Sequence, residues 1–365
     1  MRLLYITGSM PPLKCGIGYY SSQFLRHLPK RVKIQVLTTE GCDTESSLYG
    51  TVFTSSWRIF KLPSLMKTIR QFRPDIVNLQ YPAKGYKRNL GINLLPYFLI
   101  RYPLVVTLHE LHGSGLLGRT RNLITTLPAK KIVVSNHKDF DALPYLWRRK
   151  AEIVPIGSNI EKSLPNKDFY SQILKDAGFS QKKAIGVFFG FAFPNKGLDL
   201  LFDAVKSADS QLLLLTNLDG ANAYQNNLLK RYASLKNRGV KIYYPGFMDD
   251  IKVSQILREC DYFVLPQPLP LTAKSGTAIA AAIHGLTIVS TGDNDKTLNE
   301  PYVHNENSIL LNPMNHQTLT RALSELHNNT DILKELRSGA KKLSDYFDWQ
   351  KIVEKHEDLW KRVRK

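Results

Sequence analysis

Short apolar runs alternate with helix-period segments along the whole chain. Most of these runs are continuous rather than alternating, which is typical of parallel strands covered on both faces. A polar gap over 158–181 separates six runs from five later ones. The pattern predicts strands at 3–6, 33–37, 75–79, 104–108, 132–134 and 153–154, and again at 185–189, 212–215, 241–244, 262–265 and 286–290.

Helical periodicity fills the intervals between the predicted strands. One segment, for example, places apolar side chains at i, i+3, i+4 and i+7, which are Leu198, Leu201, Phe202 and Val205. The alternation predicts an α/β protein with two doubly wound, Rossmann-like domains in series. In open parallel sheets, ligands bind beyond the carboxyl ends of the strands. We therefore expect the chemistry in the loops after the strands, with the two sheets facing a common cleft.

The charge of the chain is uneven. The sequence has 365 residues with 50 Lys and Arg against 31 Asp and Glu, a formal net charge of +19. Residues 1–170 hold 25 basic and 10 acidic side chains, so most of the excess lies in the first half. Such basicity indicates a polyanionic partner or phosphorylated substrates. The basic residues are scattered and match no nucleic-acid-binding module, so nucleic acid is not an expected partner.

Cysteine usage and hydropathy bear on the compartment. Cys15, Cys42 and Cys260 are odd in number and far apart, which disfavours a disulfide framework and favours a reducing compartment. The most lipid-like stretch, 92–108, is interrupted by two prolines and an arginine. A spanning helix needs about 20 apolar residues. We expect a cytoplasmic protein that could bind a membrane peripherally.

The first candidate loop precedes a predicted helix over 19–27. Gly16, Ile17 and Gly18 place bare amides at the start of this helix, where its dipole favours an anion. The loop resembles a dinucleotide fingerprint, but the predicted strand ends about eight residues too early for one. A purely structural turn is the alternative.

Two further positions could carry chemistry or bind a metal. His109 follows a buried predicted strand, where an imidazole can donate to or accept from a ligand, or can be purely structural. His109 and His112 lack an evident third metal ligand. Asp293 and Asp295 form an Asp-x-Asp pattern, although polar turn residues after a strand are common. We expect no metal site.

Two loops of the second half predict anion binding. Lys196 lies where a strand turns into a helix, so its ammonium and the following amides could bind a phosphate. Lys274, Ser275, Gly276 and Thr277 precede a helix predicted over 278–284 and could present free amides at its positive end. A solvated lysine and an ordinary capped helix are the structural alternatives.

The ordered set of loops resembles the family 4 glycosyltransferases, whose fold is the two-domain GT-B type. The resemblance includes the segments 11–21, 107–110, 153–160, 190–197, 244–247, 276–285 and 347–352, and therefore covers nearly the whole chain. It implies an N-terminal acceptor-side domain over 1–160, a nucleotide-sugar-binding domain over 161–345, and a terminal helix over 346–365 that crosses back to the first domain.

The resemblance also implies roles for individual residues. Gly246 and Phe247 would approach the nucleotide base. Lys196 and the amides of Gly276 and Thr277 would hold the diphosphate of a UDP- or GDP-sugar, with Lys274 adding charge. The segment 16–18 and His109 would face the sugar and its phosphate. Enzymes of this family retain the anomeric configuration and use no metal cofactor.

The sequence departs from the family pattern at three positions. Phe191 stands where an arginine is usual, and Thr272 and Ala280 stand where the family has paired glutamates. The segment 274–277 resembles a subgroup with a basic-Gly-Ser/Thr sequence there. Two alternative functions therefore stay open: a nucleotide-sugar epimerase and a catalytically silent sugar-nucleotide-binding protein.

The resemblance gives the basic first half an interpretation. Acceptors of this family include glycans and lipid-linked diphosphates, so the expected role lies in surface polysaccharide or glycoconjugate synthesis. Each basic residue near an anionic leaflet contributes about 1 kcal/mol of binding. We therefore expect an anionic membrane surface as a partner, with solubility and substrate steering as the alternative explanation of the charge.

Overall fold

The structure, a computed structural model, describes residues 1–13, 15–42, 50–220 and 222–364, except for the side chain of residue 330. The chain divides into two compact units. The first comprises Met1–Asn159 and Trp349–Lys365, and the second comprises Ile160–Asp348. No helix in the described part of the chain is both long and apolar enough to cross a bilayer.

The first unit is built on a seven-stranded sheet in which every pairing is parallel. Its strand order is β3-β2-β1-β4-β5-β6-β7. The strands are β1 Arg2–Ile6, β2 Lys33–Thr39, β3 Thr51–Ser55, β4 Ile76–Tyr81, β5 Leu104–Leu108, β6 Lys131–Val134 and β7 Ala151–Ile153. The helices are α1 Gly16–Arg26, α2 Leu62–Phe72, α3 Gly91–Phe98, α4 Leu116–Thr126, α5 His137–Asp141 and α6 Tyr145–Arg148, with short 3-10 turns at Ile59–Lys61 and Lys84–Tyr86.

The second unit repeats the plan with six parallel strands in the order β10-β9-β8-β11-β12-β13. The strands are β8 Ile185–Phe189, β9 Gln211–Leu215, β10 Ile242–Tyr243, β11 Tyr262–Leu265, β12 Thr287–Thr291 and β13 Ser308–Leu311. The helices are α7 Lys167–Ala177, α8 Leu198–Ala208, α9 Ala223–Asn237, α10 Asp250–Glu259, α11 Gly276–Ile283, α12 His316–Asn328 and α13 Thr330–Tyr346, with 3-10 turns at Pro194–Lys196 and Lys296–Asn299.

Local sequence explains where several helices begin and end. Asn166 caps α7 by accepting a hydrogen bond from the amide of Phe169, and Gly178 ends the helix in the left-handed conformation. Asn315 and Thr318 form a reciprocal capping box at the start of α12. These contacts satisfy backbone groups that a helix leaves unpaired at its ends.

The last helix, α14 Trp349–Arg364, belongs to the first unit. The Nε1 of Trp349 donates a hydrogen bond of 2.8 Å to the carbonyl of Ser158. A Cβ atom on Gly157 would overlap the Trp349 indole, so only glycine fits there. Buried side chains of α14 pack with those of α1 on one face of the first sheet, while α2, α3 and α4 cover the other face.

All eleven predicted strands are present, but the structure adds β3 and β13 and begins β7 two residues earlier than predicted. Helix α1 begins at Gly16 rather than at Tyr19, and α11 begins at Gly276 rather than at Ala278. The glycines Gly16, Gly18 and Gly276, which were predicted to lie in loops, therefore belong to the first turns of these helices.

Among the described residues, two of the buried histidines have a strongly lowered pKa. Burial lowers the pKa of His356, on α14, to about 4, although its Nδ1 lies 3.0 Å from the carbonyl of Ile352. Burial likewise lowers the pKa of His284, at the end of α11, to about 4. The unfolded chain therefore binds more protons than the folded protein between about pH 6.5 and pH 4. Stability must fall as the pH is lowered through that range.

We expect urea denaturation to show this loss. For each histidine the free energy of unfolding should decrease by about 1.4 kcal/mol per pH unit within the range. His356→Gln should reduce the decrease between pH 7 and pH 5, whereas replacement of the exposed His112 by Gln should leave it unchanged. An identical pH dependence in the wild type and in His356→Gln would contradict a neutral buried imidazole.

Candidate functional site

The strand order of the second unit creates a crevice at the carboxyl ends of β8 and β11. These strands are neighbours, but the chain proceeds from β8 to β9 on one side and from β11 to β12 on the other. The loops after the two strands therefore diverge, which is where ligands bind in open parallel sheets. The loops are 190–197 and 266–275, and both contain residues that the sequence predicted for the site.

Two glycines allow these loops to pack closely against each other. Gly190 has φ 136°, and a Cβ atom on it would lie 2.9 Å from the Cγ2 of Thr277. Gly197 has φ 71°, and a Cβ atom on it would overlap the carbonyl oxygen of Pro266. A larger residue would strain the backbone and push the loops apart. The structure thus brings the Lys196 loop beside the start of α11.

Lys196 ends the 3-10 turn that leads into α8. Its side chain is half-buried, and this burial lowers the pKa of the ammonium. Within the described residues, Nζ has no hydrogen-bond or ion-pair partner. A partly desolvated cation without a counter-charge is costly. An anionic ligand would supply the missing partner.

The start of α11 offers further donors beside this loop. Ile279 is the first residue whose amide donates back, to the carbonyl of Ser275, so the amides of the first turn are not used within the helix. The hydroxyls of Ser275 and Thr277 are buried and have no partner among the described residues. Gly276 is exposed, and nothing lies within 4 Å of its Cβ position. Amides, hydroxyls and the helix dipole together suit a phosphate group.

Lys274 lies in the turn before α11. Its side chain is half-buried, and its amide donates to the hydroxyl of Thr272 at 3.4 Å. It therefore adds a positive charge within two residues of the amides at the helix start.

Gly246 and Phe247 lie at the same edge of the second sheet, but after β10, two strands away from β8. Gly246 has φ 92°, and Phe247 is 75% exposed. The loops after β9 and β10 are connected, since the amide of Leu218 donates to the hydroxyl of Tyr244 at 3.2 Å. The residues predicted to bind the base therefore follow β10, whereas those predicted to bind the diphosphate follow β8 and β11 at the same edge of the sheet.

The first unit has its own switch point, between β1 and β4. Here Gly85, after β4, approaches the carbonyl of Gly8 so closely that a Cβ atom would overlap it. The Oγ of Ser9 accepts a hydrogen bond of 3.2 Å from the amide of Gly85. A Cβ atom on Gly18 would lie 3.3 Å from the backbone of Ser9. The first turn of α1, with Gly16 and Ile17, therefore lies against the loop after β1.

Cys15 immediately precedes α1. Burial raises the pKa of its thiol, but hydrogen bonding from the amide of Gly18 and the hydroxyl of Ser9 outweighs this, so the pKa lies below its ordinary value. The sequence predicted an external anion at the amides of this turn. The structure places the sulfur of Cys15 beside them.

His109 follows β5 and is held by Gln80 at the end of β4. The amide of His109 donates to the carbonyl of Tyr81, and its Nε2 lies 2.8 Å from Gln80 Oε1. The Nε2 of Gln80 donates to Asn78 Oδ1 and to Thr107 Oγ1. Because the Gln80 amide group is thereby oriented, Oε1 accepts and His109 Nε2 must carry the proton.

We expect Gln80→Met to remove the preference of His109 for the tautomer that is protonated at Nε2. The variant keeps the length of the side chain but removes the acceptor, so nitrogen NMR should show the proton redistributed between Nδ1 and Nε2. The lost buried hydrogen bonds should also lower the free energy of unfolding by about 1–3 kcal/mol.

Tyr20→Phe is the matched control for Gln80→Met, since it keeps the aromatic ring that contacts His109 edge-on at 5.2 Å and leaves Gln80 in place. Unchanged His109 resonances in Gln80→Met would show that Gln80 does not set the tautomer.

Part of the chain is similar in sequence to known glycosyltransferases. Residues 183–329 match the family model described as "Glycosyl transferases group 1". An uncharacterized glycosyltransferase of Methanocaldococcus jannaschii, MJ1178, is 25% identical over 209 residues. That match covers 54% of this chain and 54% of the relative, so the alignment spans about half the length of each.

Solved structures match over the whole chain. Anabaena Alr3699/HepE in complex with UDP has a TM-score of 0.76 and 16% identity, covering 98% of this chain and 99% of that one. A glycosyltransferase from Rickettsia africae has a TM-score of 0.75 and 16% identity, covering 100% of this chain and 98% of that one. The fold is GT-B. The predicted fold class, two doubly wound α/β domains, is confirmed.

In this GT-B chain the Asp-x-Asp pattern has a local structural use. The Oδ1 of Asp295 accepts hydrogen bonds from the amide and hydroxyl of Thr297, so Asp295 caps the 3-10 turn Lys296–Asn299. The Oδ1 of Asp293 accepts from the amide of Asp295 at 3.3 Å. In the described ranges, no three His, Cys, Asp or Glu residues are grouped as metal ligands.

Sequence reasoning missed several polar groups at these edges. Gln80 and Ser9 in the first unit are buried and hydrogen-bond at the candidate loops, and Thr216 is buried directly after β9. The hydroxyl of Thr216 has no partner among the described atoms. A polar residue at the end of an otherwise apolar strand was the available signal for Gln80 and Thr216, because such a group must find a partner when buried.

Proposed function

We propose that this protein is a glycosyltransferase that moves a sugar from a UDP- or GDP-sugar to a glycan or lipid-linked acceptor, with retention of configuration. The observation that carries the proposal is the half-buried ammonium of Lys196, which has no partner among the described residues, beside the hydroxyls at the start of α11, which have none there either. The group 1 glycosyltransferase match over 183–329 includes both features. The UDP bound to the Anabaena structure supports a uridine nucleotide as the first donor to test.

The proposed reaction breaks the bond between the anomeric carbon and the diphosphate oxygen. The bonding electrons leave with the diphosphate, while the acceptor hydroxyl forms the new glycosidic bond and loses its proton. In a retaining reaction the departing phosphate oxygen can accept that proton. The negative charge develops on the diphosphate, so preorganised positive groups at that position lower the barrier.

The residues have distinct proposed roles in this reaction. Lys196 and Lys274 would bind the diphosphate as cations, and the amides of Gly276 and Thr277 would donate hydrogen bonds to it. Because these groups already supply positive charge, we propose that no divalent ion is needed. Gly246 and Phe247 are proposed for the base.

The first unit would contribute the acceptor-side chemistry. We propose that His109, which Gln80 holds at the end of β5, contacts the sugar of the donor. We propose the same sugar-side role for the start of α1, Gly16–Gly18. The thiol of Cys15 already lies beside the amides of that turn, so the sugar rather than the diphosphate is the proposed ligand there.

A thermal-shift panel of UDP-, GDP-, ADP- and TDP-sugars, each with and without EDTA, tests the donor. A ligand present at 100 times its Kd should add about 2.7 kcal/mol of stability. We expect the shift with one uridine or guanosine sugar, unchanged by EDTA and reduced in Lys196→Ala. No shift with any nucleotide sugar would refute the proposal, and loss of the shift on chelation would refute metal independence.

A catalytically silent binding protein is the second candidate, because Phe191, Thr272 and Ala280 replace an arginine and two glutamates of the resembled family. The two functions differ in whether products are released. A transferase releases free nucleotide and a glycosylated acceptor, whereas a silent binder shows the thermal shift but releases no nucleotide when acceptors are supplied.

A further inference from the structure

One face of the first unit carries an unusual number of exposed apolar side chains. The helices α3 and α4 pack inward on the sheet, yet both of them expose large apolar groups outward, as does the neighbouring 3-10 turn Ile59–Lys61. We call this set the apolar belt. Its members, each 37–85% exposed, are Ile59, Phe60, Leu90, Leu94, Tyr97, Phe98, Leu116, Leu117, Ile124 and Leu127.

The belt is continuous across the three elements. Along α3 and its N-cap Leu90, the exposed apolar residues recur at 90, 94, 97 and 98, which is the spacing of one helix face. The hydroxyl of Tyr97 donates to the carbonyl of Ile124 at 3.0 Å, so the outward faces of α3 and α4 adjoin. At the other end, a Cβ atom on Gly91 would overlap the backbone of Trp57, which places α3 directly beside the turn that bears Phe60.

The surroundings of the belt are strongly basic. Residues 51–130 contain twelve Lys or Arg and only two acidic residues, Asp75 and Glu110. Asp75 is engaged by the backbone amide and guanidinium of Arg2. No acidic residue occurs in the turn, in α3 or in α4. The exposed bases on or next to these elements include Arg58, Lys61, Arg88, Arg101 and Arg119.

We propose that the apolar belt and its basic border form a docking surface for an anionic lipid bilayer. Apolar side chains would enter the boundary between headgroups and acyl chains, while lysines and arginines would bind anionic headgroups. A second copy of this chain is a poorer occupant, because a symmetric contact would set two basic borders against each other. Large exposed apolar patches on soluble folds mark interaction sites of this kind.

This inference deepens the proposed function, since a lipid-linked acceptor would be presented at such a surface. It does not depend on catalysis, because vesicle binding is measured without donor or acceptor. If nucleotide-sugars raise the melting temperature but the protein does not bind vesicles, only the docking surface is refuted. If the protein binds vesicles but no nucleotide-sugar raises its melting temperature, the proposed transferase function is refuted instead.

Co-sedimentation of the full-length protein with vesicles provides the experiment. The vesicles are pure phosphatidylcholine, or phosphatidylcholine with one third phosphatidylglycerol. The apolar variant combines Phe98→Ser with Leu117→Ser, and the charge variant combines Lys61→Glu, Arg88→Glu and Arg101→Glu. Both controls change exposed residues of the second unit. The control for the apolar variant combines Leu164→Ser with Ile251→Ser, and the control for the charge variant combines Lys175→Glu, Lys182→Glu and Lys334→Glu.

We expect the wild type and both controls to bind the anionic vesicles and not the neutral ones. The partition coefficient should fall by about tenfold or more in each belt variant, with circular dichroism unchanged. Binding that is absent, equal for both vesicle types or insensitive to the belt variants would overturn the proposal. A dimer in light scattering that the apolar variant dissociates would assign the belt to a second copy instead.

Discussion

Lys196→Ala should lower kcat/KM for the nucleotide-sugar donor by about 100- to 1000-fold, the loss typical of removing one preorganised donor from a developing negative charge. The ammonium is half-buried and has no partner among the described residues, so its positive charge is available to a ligand. Replacing the lysine by alanine also removes the free-energy cost of burying part of a cation. The variant should therefore fold and be no less stable than the wild type.

Steady-state release of nucleotide measures this effect, and the melting temperature checks the fold. Lys182→Ala is the matched control, because Lys182 is an exposed lysine of the same unit that precedes β8 rather than following it. If Lys196→Ala keeps kcat/KM within twofold of the wild-type value, Lys196 does not belong to the proposed site.

Trp360→Ala should destabilise the first unit by about 3–5 kcal/mol. The side chain is fully buried, and its ring lies 6.0 Å from those of Phe24 and His356 in edge contacts. Its Nε1 has no partner among the described residues, so the loss is one of packing and not of a hydrogen bond. The cavity would open between α14 and α1.

Urea denaturation followed by far-ultraviolet circular dichroism measures the loss. Lys361→Ala, one residue further along α14, is the control, since its exposed ion pair with Asp358 contributes little. If Trp360→Ala and Lys361→Ala unfold at the same urea concentration, the helix does not stabilise the first unit in the way its contacts indicate.

Interior strands could be predicted from the sequence, and the outermost ones less well. The two strands that prediction missed, Thr51–Ser55 and Ser308–Leu311, each pair with a single neighbour at the end of a sheet. An outer strand is covered less, so its residues need not be continuously apolar; in β3 every side chain is at least partly accessible. The hydrophobic pattern therefore weakens where the sheets end.

The candidate loops were found because glycine and lysine are conspicuous after a strand, but the partners within them were not. That Gly190 meets Thr277 depends on β8 lying beside β11, a pairing between segments about 75 residues apart in sequence. The orientation of His109 depends on Gln80, across a strand pair. Strand order sets both contacts, and a single sequence carries no direct record of strand order.

The place of α14 has a consequence for synthesis on the ribosome. The core of the first unit includes Trp349, Ile352 and Trp360, whereas residues 160–348 form a unit of their own. A nascent chain thus holds all of the second unit before the final helix can cover the exposed face of the first sheet. One face of the first sheet therefore stays uncovered, and accessible to chaperones, until α14 has been synthesised.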